Sequence, residues 1–194
     1  NAIKLGYHLY RPLERAQLAR TQRVLATSER YREGSDCLNA LGPRCEVLPL
    51  GLDKQRLPPK TNPTTSDEKI STATGSIKIL TVGRIAAYKG YSHLLNALAF
   101  LPEAALTMVV SGSASEFIAL EKQVDALGLN SRVSIKKNLS DNELWDQYRA
   151  CHVFCLPSTD KTEAFGMVLL EAQHFNKPIV ACDIPGSGVP WVAS

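Results

Sequence analysis

The segment IKILTVGRIAAYKGYSHLLNALAFL, residues 77–101, decides the fold class of this chain. Its first seven residues are mostly apolar and β-branched, which is typical of a buried strand. The second half places apolar side chains at helical spacing, at Leu94, Leu95, Ala97, Leu98 and Leu101. The segment therefore predicts a strand, a turn and a helix, in that order.

The same order of a short apolar strand followed by a helix recurs through the rest of the chain. The further predicted strands are ALTMVVSG (105–112), RVSIKK (132–137), VFCLPS (153–158) and KPIVACD (177–183). The helices between them are ASEFIALEKQVDALGL (114–129), SDNELWDQYRA (140–150) and FGMVLLEAQHF (165–175). In the second of these helices, Ser140 is a suitable N-cap with Glu143 as its reciprocal partner. This alternation predicts an α/β fold, a Rossmann-like parallel sheet flanked by helices.

The first part of the chain predicts a separate region. Residues 8–21 are predicted as a short basic helix with Pro12 in its first turn, followed by a strand at 23–28, a helix at 29–41 and a strand at 45–53. Residues 54–76 are rich in Pro, Ser, Thr and Lys and lack apolar periodicity, which indicates a flexible loop. We therefore expect two domains, residues 1–44 and residues 45–194, with the loop inside the second.

Composition limits the classes of protein to which the chain can belong. It is 44% hydrophobic and 21% charged, as in an ordinary globular protein, and its net charge of +3 is too small to indicate nucleic-acid binding. No apolar run approaches the roughly 20 residues of a membrane-spanning helix. Five cysteines at irregular spacing favour reduced thiols and a cytoplasmic location. The chain begins without methionine and with polar, basic residues, so we expect a piece of a longer protein without a signal peptide.

Two cations follow the strand of the opening segment. Because ligands of parallel sheets bind beyond the carboxyl ends of the strands, the loop VGRIAAYKG (82–90) is a candidate site. Gly83 ends the strand, and Arg84, as a planar fork, and Lys89, as a mobile point charge, suit a diphosphate. The alternative, left open by this loop alone, is that both side chains project into water.

A second candidate site lies in TEAFGMVLLEAQHFNKPIV, residues 162–180. A helix starting near Phe165 would offer unpaired backbone N–H groups and a partial positive charge, and Gly166 would allow an anion to approach closely. Glu163 precedes this helix and Glu171 lies about two turns into it, where each could accept hydrogen bonds from sugar hydroxyls. The alternative is that Glu163 favours the helix dipole and Glu171 faces solvent.

The motifs TSERY, LPLGLD, VGRIAAYKG, LPSTDKTEAFGMVLLEA and NKPIVACDIPGSGVPWV occur in the order seen in retaining glycosyltransferases of the large group 1 family, which this sequence resembles from about residue 20 onward. The most specific element is the pair of glutamates Glu163 and Glu171 with AFG between them, supported by Arg84 and Lys89. The resemblance implies one half of a two-domain fold: residues 1–44 would be the tail of the acceptor-side domain, and residues 45–194 the nucleotide-sugar domain, truncated at its end.

The resemblance also implies a role for each candidate residue. Arg84 and Lys89 would grip the diphosphate of a UDP- or GDP-sugar and neutralise the leaving nucleotide, and Glu163 would lie beside the sugar. Glu171 would hold the ribose, and Gly83 would let the backbone approach the ligand. The backbone amides that would receive sugar or phosphate oxygens are those of Phe165, Gly166, Met167 and Val168. No metal is expected, because the sequence has no Asp-x-Asp pair to hold Mg²⁺.

Partners follow from the same resemblance. The acceptor would be a glycan or a lipid-linked glycan of bacterial surface polysaccharide or lipopolysaccharide synthesis, bound by the missing part of the first domain. This chain alone is therefore expected to bind the donor and to transfer little or no sugar. Many relatives carry a glutamate near the position of Trp191. The basic segment near the start of the chain could approach the inner membrane as a peripheral contact, but packing of this segment against the missing domain is favoured. Its basic residues are Arg11, Arg15, Arg20 and Arg23.

Two other functions stay open on the sequence: a nucleotide-sugar epimerase of related fold and a non-catalytic nucleotide-binding module. An epimerase would need an acid/base pair, for which the chain offers Glu163 and two histidines, His152 and His174, that are better explained by structural roles. Several polar residues beyond strand ends are weaker phosphate candidates, for which a turn or a solvated charge run is an alternative: Ser111, Gly112, Ser113, Lys136, Lys137 and Asn138.

Overall fold

A computed structural model of the chain describes residues 2–59 and 76–194. Its strands are β1 (Val24–Ala26), β2 (Cys45–Val47), β3 (Ile77–Arg84), β4 (Ala104–Ser111), β5 (Val133–Lys136), β6 (Val153–Leu156) and β7 (Ile179–Ala181). Its α-helices are α1 (Ala2–Arg20), α2 (Glu29–Glu33), α3 (Asp36–Asn39), α4 (Tyr91–Ala99), α5 (Ala114–Ala126), α6 (Asp141–Ala150), α7 (Met167–His174) and α8 (Val189–Val192). Two short 3₁₀ helices cover Gly42–Arg44 and Ala87–Lys89.

Five strands form the main sheet, all parallel, in the order β5-β4-β3-β6-β7. The chain winds outward from β3 through β4 to β5 and then returns to place β6 on the other side of β3. The prediction of a Rossmann-like parallel sheet is therefore confirmed. The point where the strand order reverses lies between β3 and β6, and in open α/β sheets the crevice at such a point is where ligands bind.

Alternation of side chains along the strands gives the sheet two apolar faces. One face packs against α6 and α7 through fully buried Leu80, Phe154 and Leu169, and the other packs against α4 and α5 through Leu95 and Met108. Helices on both faces account for the mostly apolar strands, since neither face of the central strands meets solvent. The predicted capping box of Ser140 and Glu143 is present at the start of α6.

Two helix predictions for the first part of the chain were wrong in their bounds. Helix α1 begins at Ala2, so Pro12 lies inside it rather than in its first turn. The single helix predicted over 29–41 is two short helices, separated at Gly34 and Ser35. Gly34 adjoins Gly186 so closely that a Cβ on Gly34 would lie 2.4 Å from the Cα of Gly186, and the chain can make this approach only without a side chain there.

The strand predicted over 45–53 ends at Val47 and pairs with β1, in a two-stranded parallel sheet apart from the main one. β1 lies before the domain boundary predicted between residues 44 and 45, and β2 lies after it, so the pairing of the two strands crosses that boundary. Part of the predicted loop 54–76 contacts helices α6 and α7. Arg56 donates to Asp141 of α6 at 3.1 Å, and the carbonyl of Pro58 lies 3.0 Å from Nε2 of His174 in α7. Residues 60–75 of that loop lie outside the described residues.

Candidate functional site

The loops that follow β3 and β6 pack against each other at the point where the strand order reverses. The amide of Thr159 donates a hydrogen bond to the carbonyl of Tyr88 at 2.9 Å. Gly90 has a left-handed backbone with φ +67°, and a Cβ there would lie 2.0 Å from the carbonyl oxygen of Pro157. Only glycine fits this contact, and the contact fixes the residues next to Gly90 and Pro157 relative to each other.

A buried ion pair links these two loops. Lys89 Nζ lies 2.5 Å from Glu163 Oε2, and the hydroxyl of Ser158 donates to the same oxygen at 2.8 Å. Lys89 is 7% exposed and Glu163 9% exposed, so both charges are largely removed from water. Buried charges are tolerated when they are paired and hydrogen-bonded, as here. The structure therefore brings together two of the residues predicted for the site, although they are 74 positions apart in sequence.

Gly83, at the end of β3, lies against two side chains of the site. A Cβ on Gly83 would lie 2.9 Å from the hydroxyl of Tyr91 and 3.3 Å from Lys89 Nζ. Because Gly83 has no side chain, Tyr91 and Lys89 lie close to the strand end. That Gly83 lets the backbone approach a ligand stays a prediction.

Arg84 is exposed, unlike the buried pair. Its Nη2 donates to the hydroxyl of Tyr88 at 3.5 Å. Hydrogen bonds from Ser113 lower the pKa of Glu116, and the charge of Arg84 adds a smaller contribution. No contact of Arg84 with Lys89 or Glu163 occurs in the described part of the chain, so a joint grip of Arg84 and Lys89 on one diphosphate stays a prediction.

The start of α7 adjoins the buried pair. The helix begins at Met167, two residues later than predicted, because Gly166 is its N-cap with φ 80° and ψ 61°. Phe165 is buried instead, with its ring centroid 6.1 Å from that of Trp191. The first amides of any α-helix lack intrahelical partners, so those of Met167 and Val168 are available to an oxygen ligand. These two amides and Gly166 fit the predicted anion site, whereas the side chain of Phe165 packs in the core.

Glu171 lies on α7 and is partly buried. Its Oε2 accepts a hydrogen bond from the hydroxyl of Tyr148 at 2.7 Å. Burial raises the pKa of Glu171, while the bond from Tyr148 opposes this, and burial also raises the pKa of Tyr148. The interpretation of Glu171 as a solvent-facing residue is therefore wrong.

The raised pKa of Glu171 predicts a pH dependence of stability. The folded state binds a proton at this carboxyl more tightly than the unfolded state, so stability falls as pH rises from the ordinary pKa of 4.5 through the raised value. Glu171→Gln should remove this fall. We expect the free energy of unfolding, measured with urea from pH 4 to pH 7, to fall for the unmodified chain relative to that of Glu171→Gln. The difference between the two should grow with pH, by about 1.4 kcal/mol for each pH unit by which the pKa is raised.

The matched control for this measurement is Glu103→Gln, because Glu103 is exposed and its side chain has no described partner. The control should follow the unmodified chain across the pH range. A constant difference between Glu171→Gln and the unmodified chain from pH 4 to 7 would contradict the raised pKa.

Three residues near the pair were missed by sequence analysis. Ser158 follows strand β6, where a hydroxyl signal was available, but the contact with Glu163 is not local. The hydroxyl of Ser187 donates to the carbonyl of Glu163 at 2.5 Å and accepts from the amide of Val189 at 3.1 Å, which ties the loop of Glu163 to the start of α8. Tyr91 was assigned no role, and no sequence pattern distinguishes it from a core residue.

The weaker candidates have structural roles. Ser113 caps α5 in a capping box with Glu116, which sequence analysis did not assign. His152 Nδ1 accepts a hydrogen bond from the amide of Lys78 at 3.1 Å, and His174 bonds the carbonyl of Pro58. Lys136 donates to Gln147 at 3.0 Å. The structural interpretation of both histidines is confirmed. An epimerase would require an acid/base partner for Glu163, and no histidine contacts Glu163 among the described residues.

Residues 2–59 and 76–194 contain neither a cluster of metal-binding side chains nor a membrane-spanning helix. No cluster of three or more His, Cys, Asp or Glu side chains there is arranged to hold a metal ion. Within the same residues, no helix combines the length and apolar character needed to cross a bilayer. The expected independence from metal stays a prediction.

Residues 63–189 match the family model described as glycosyl transferases group 1. The chain is 27% identical over 184 residues to the O-antigen chain mannosyltransferase C of Escherichia coli, covering 95% of this chain and 47% of that protein. It is 31% identical over 185 residues to the D-rhamnosyltransferase WbpZ of Pseudomonas aeruginosa, covering 95% and 46%. The chain thus spans about half the length of the curated relatives it matches.

A solved structure agrees with these matches. The crystal structure of Anabaena Alr3699/HepE in complex with UDP-glucose superimposes with a TM-score of 0.65 at 25% sequence identity, covering 86% of this chain and 46% of that one. The family resemblance seen in the sequence and the parallel sheet seen in the fold are therefore both confirmed. The chain belongs to the group 1 family of glycosyl transferases.

Proposed function

We propose that this chain binds the donor of a glycosyltransferase, a UDP- or GDP-sugar, for transfer to an acceptor hydroxyl with retention of the anomeric configuration. The observation that carries the proposal is the buried pair of Lys89 and Glu163, held at the ligand-binding edge of the sheet beside the first amides of α7. Retention is taken from the family resemblance. The UDP-glucose in the Anabaena structure supports a nucleotide sugar as the ligand class.

The chemistry of the pair suits a diphosphate leaving group. When the bond between the sugar and the diphosphate breaks, negative charge accumulates on the phosphate oxygens, and fixed positive charge nearby stabilises that transition state. The ammonium of Lys89 and the leading amides of Met167 and Val168 supply such charge from two sides. In this proposal Lys89 turns from Glu163 toward the phosphate, and Arg84, on the exposed side of the same loop, adds a second cation.

In this proposal each glutamate binds a different sugar of the nucleotide-sugar donor. Glu163 is an acceptor-only group when ionised, which suits hydroxyls of the transferred sugar. Glu171 lies one helical turn into α7, and its carboxylate suits the adjacent hydroxyls of a ribose. Tyr148, which donates to Glu171 at 2.7 Å, fixes the orientation of that carboxylate.

The acceptor and the cellular setting belong to the longer protein. The names of the mannosyltransferase and rhamnosyltransferase relatives support a role in bacterial surface polysaccharide or lipopolysaccharide synthesis. We propose a glycan or lipid-linked acceptor bound by residues outside this chain, and a cytoplasmic location. A peripheral contact with the inner membrane, through the arginines of α1, is part of the same proposal.

Calorimetric titration of the chain with UDP, GDP, ADP and dTDP, each with and without its sugar, tests donor binding. Because a hydrogen bond to a charged group contributes about 1.5–3 kcal/mol, Arg84→Ala should weaken the preferred nucleotide by tenfold or more. Arg84 is exposed and makes one described side-chain bond, so this variant should fold normally. Titrations with Mg²⁺ and with a chelator test the expected independence from metal.

The control for Arg84→Ala is Lys122→Ala, which removes an exposed cation of α5 without a described contact at the site. It should leave the affinity unchanged. Equal affinity of Arg84→Ala and the unmodified chain would contradict the diphosphate assignment of Arg84, and the absence of binding to all four nucleotides would contradict the proposed function.

A further inference from the structure

Tyr91 is a buried polar residue next to the ion pair of Lys89 and Glu163. It is the first residue of α4, directly after Gly90, and it is 5% exposed. Its hydroxyl has no hydrogen-bond partner among the described residues. An unpaired buried hydroxyl is unfavourable, and a partner that is present in another state of the protein would account for it.

The hydroxyl of Tyr91 faces the buried ion pair. A Cβ on Gly83 would lie 2.9 Å from this hydroxyl and 3.3 Å from Lys89 Nζ, so both groups pack against the same side of Gly83. The charge of Glu163 acts on Tyr91 as well: burial is the larger cause of the raised pKa of Tyr91, and the Glu163 carboxylate is the next. Tyr91 is thus a neutral O–H donor next to a buried carboxylate to which it is not bonded.

Donor binding creates a need for such a hydroxyl. In this structure Glu163 Oε2 accepts from Lys89 and from Ser158. If Lys89 turns toward a diphosphate, the buried carboxylate keeps its charge but loses its cation. A buried carboxylate left with one donor is strongly destabilised, and this cost would oppose donor binding. The phenol oxygen of Tyr88 accepts from Arg84 at 3.5 Å, whereas the hydroxyl of Tyr91 is buried and has no hydrogen-bond partner among the described residues.

We propose that Tyr91 is a positioning residue. When Lys89 leaves the Glu163 carboxylate and binds the diphosphate of the nucleotide sugar, the Tyr91 hydroxyl donates a hydrogen bond to that carboxylate in place of Lys89. This inference rests on the proposed function and deepens it, because it assigns the exchange of partners that donor binding requires. Tyr91 touches neither phosphate nor sugar. It keeps Glu163 ionised and correctly oriented toward the sugar after the ammonium has left.

The test is Tyr91→Phe, which removes one oxygen and keeps the ring. Calorimetry with the nucleoside diphosphate that the unmodified chain prefers should show an affinity about tenfold weaker, as expected for a lost hydrogen bond to a charged group. The urea midpoint of the ligand-free chain should stay the same or rise, because the hydroxyl has no partner in that state. A purely structural role would instead lower the midpoint and leave the affinity unchanged.

A double-mutant cycle with Glu163→Gln assigns the effect to the pair of residues. If Tyr91 acts through the charge of Glu163, adding Tyr91→Phe to Glu163→Gln should change the affinity less than twofold. An effect of Tyr91→Phe that is equal in both backgrounds would overturn the inference, and so would an unchanged affinity of the single variant.

The outcomes separate this inference from the proposed function. Binding of UDP or GDP by the unmodified chain, together with equal binding by Tyr91→Phe, would overturn the role of Tyr91 alone. Failure of the unmodified chain to bind any of the four nucleotides would overturn the proposed function and the role of Tyr91 with it.

Discussion

Lys89→Met is expected to lower the free energy of unfolding by about 3–5 kcal/mol, the typical cost of removing one partner from a buried ion pair. The methionine side chain keeps much of the volume of lysine, so the expected loss comes from charge and not from packing. It leaves the Glu163 carboxylate 9% exposed, with Ser158 as its remaining side-chain donor. Urea unfolding at pH 7, followed by circular dichroism, measures the effect.

Two further variants define the cause of this loss. Lys89→Met combined with Glu163→Gln removes both charges, and we expect it to recover most of the stability, because a neutral amide is far less costly to bury than an unpaired carboxylate. Lys137→Met is the matched control, since the ion pair of Lys137 and Glu121 at 3.5 Å is exposed. The control should cost at most about 1 kcal/mol. An equally small cost for Lys89→Met would show that water reaches the pair.

The second large effect is expected for Gly90→Ala, which should cost about 2–5 kcal/mol. Part of this is the left-handed backbone at φ +67°, which costs an L-residue about 1–2 kcal/mol. The rest is steric, because the new Cβ would lie 2.0 Å from the carbonyl oxygen of Pro157, and backbone cannot yield as a flexible side chain does. The loop after β3 would have to separate from the loop after β6.

Gly128→Ala separates the two contributions. Gly128 has nearly the same backbone angle, φ +65°, but no atom lies within 4 Å of the position that its Cβ would occupy. This control should cost only the strain of about 1–2 kcal/mol. Because Gly90 precedes Tyr91 and follows Lys89, we also expect Gly90→Ala to weaken nucleotide binding. Equal urea midpoints for the two variants would contradict the close contact with Pro157.

Much of the fold could be predicted because its signals are local. The alternation of apolar strands with amphipathic helices after residue 77 predicted the strands and helices of the parallel sheet, and the motif at Ser140 and Glu143 predicted the start of α6. Prediction was poorer before residue 54. There the strands have three residues each, and the break between α2 and α3 depends on the contact of Gly34 with Gly186, which no local pattern encodes.

The candidate site shows the same division. Charge, residue type and position after a strand identified Arg84, Lys89, Glu163 and Glu171 as candidates. The same reasoning could not reveal that Lys89 and Glu163 are bonded to each other, that Arg84 is exposed outside this pair, or that Tyr91 lies against Gly83. Each of these features depends on which loops pack against each other in the fold, and the order of residues in the sequence does not give the distance between two loops.

The sequence by itself determined the class of fold and the kinds of chemical group at the ends of its strands, because periodicity and residue type act over a few neighbouring residues. Only the tertiary structure decided which of those groups share a site. The reversal of strand order between β3 and β6 brings residues 74 positions apart to 2.5 Å in a place from which water is largely excluded. In that place an unpaired charge is costly, so the partners of Lys89, Glu163 and Tyr91 are set by burial and by the packing of two loops.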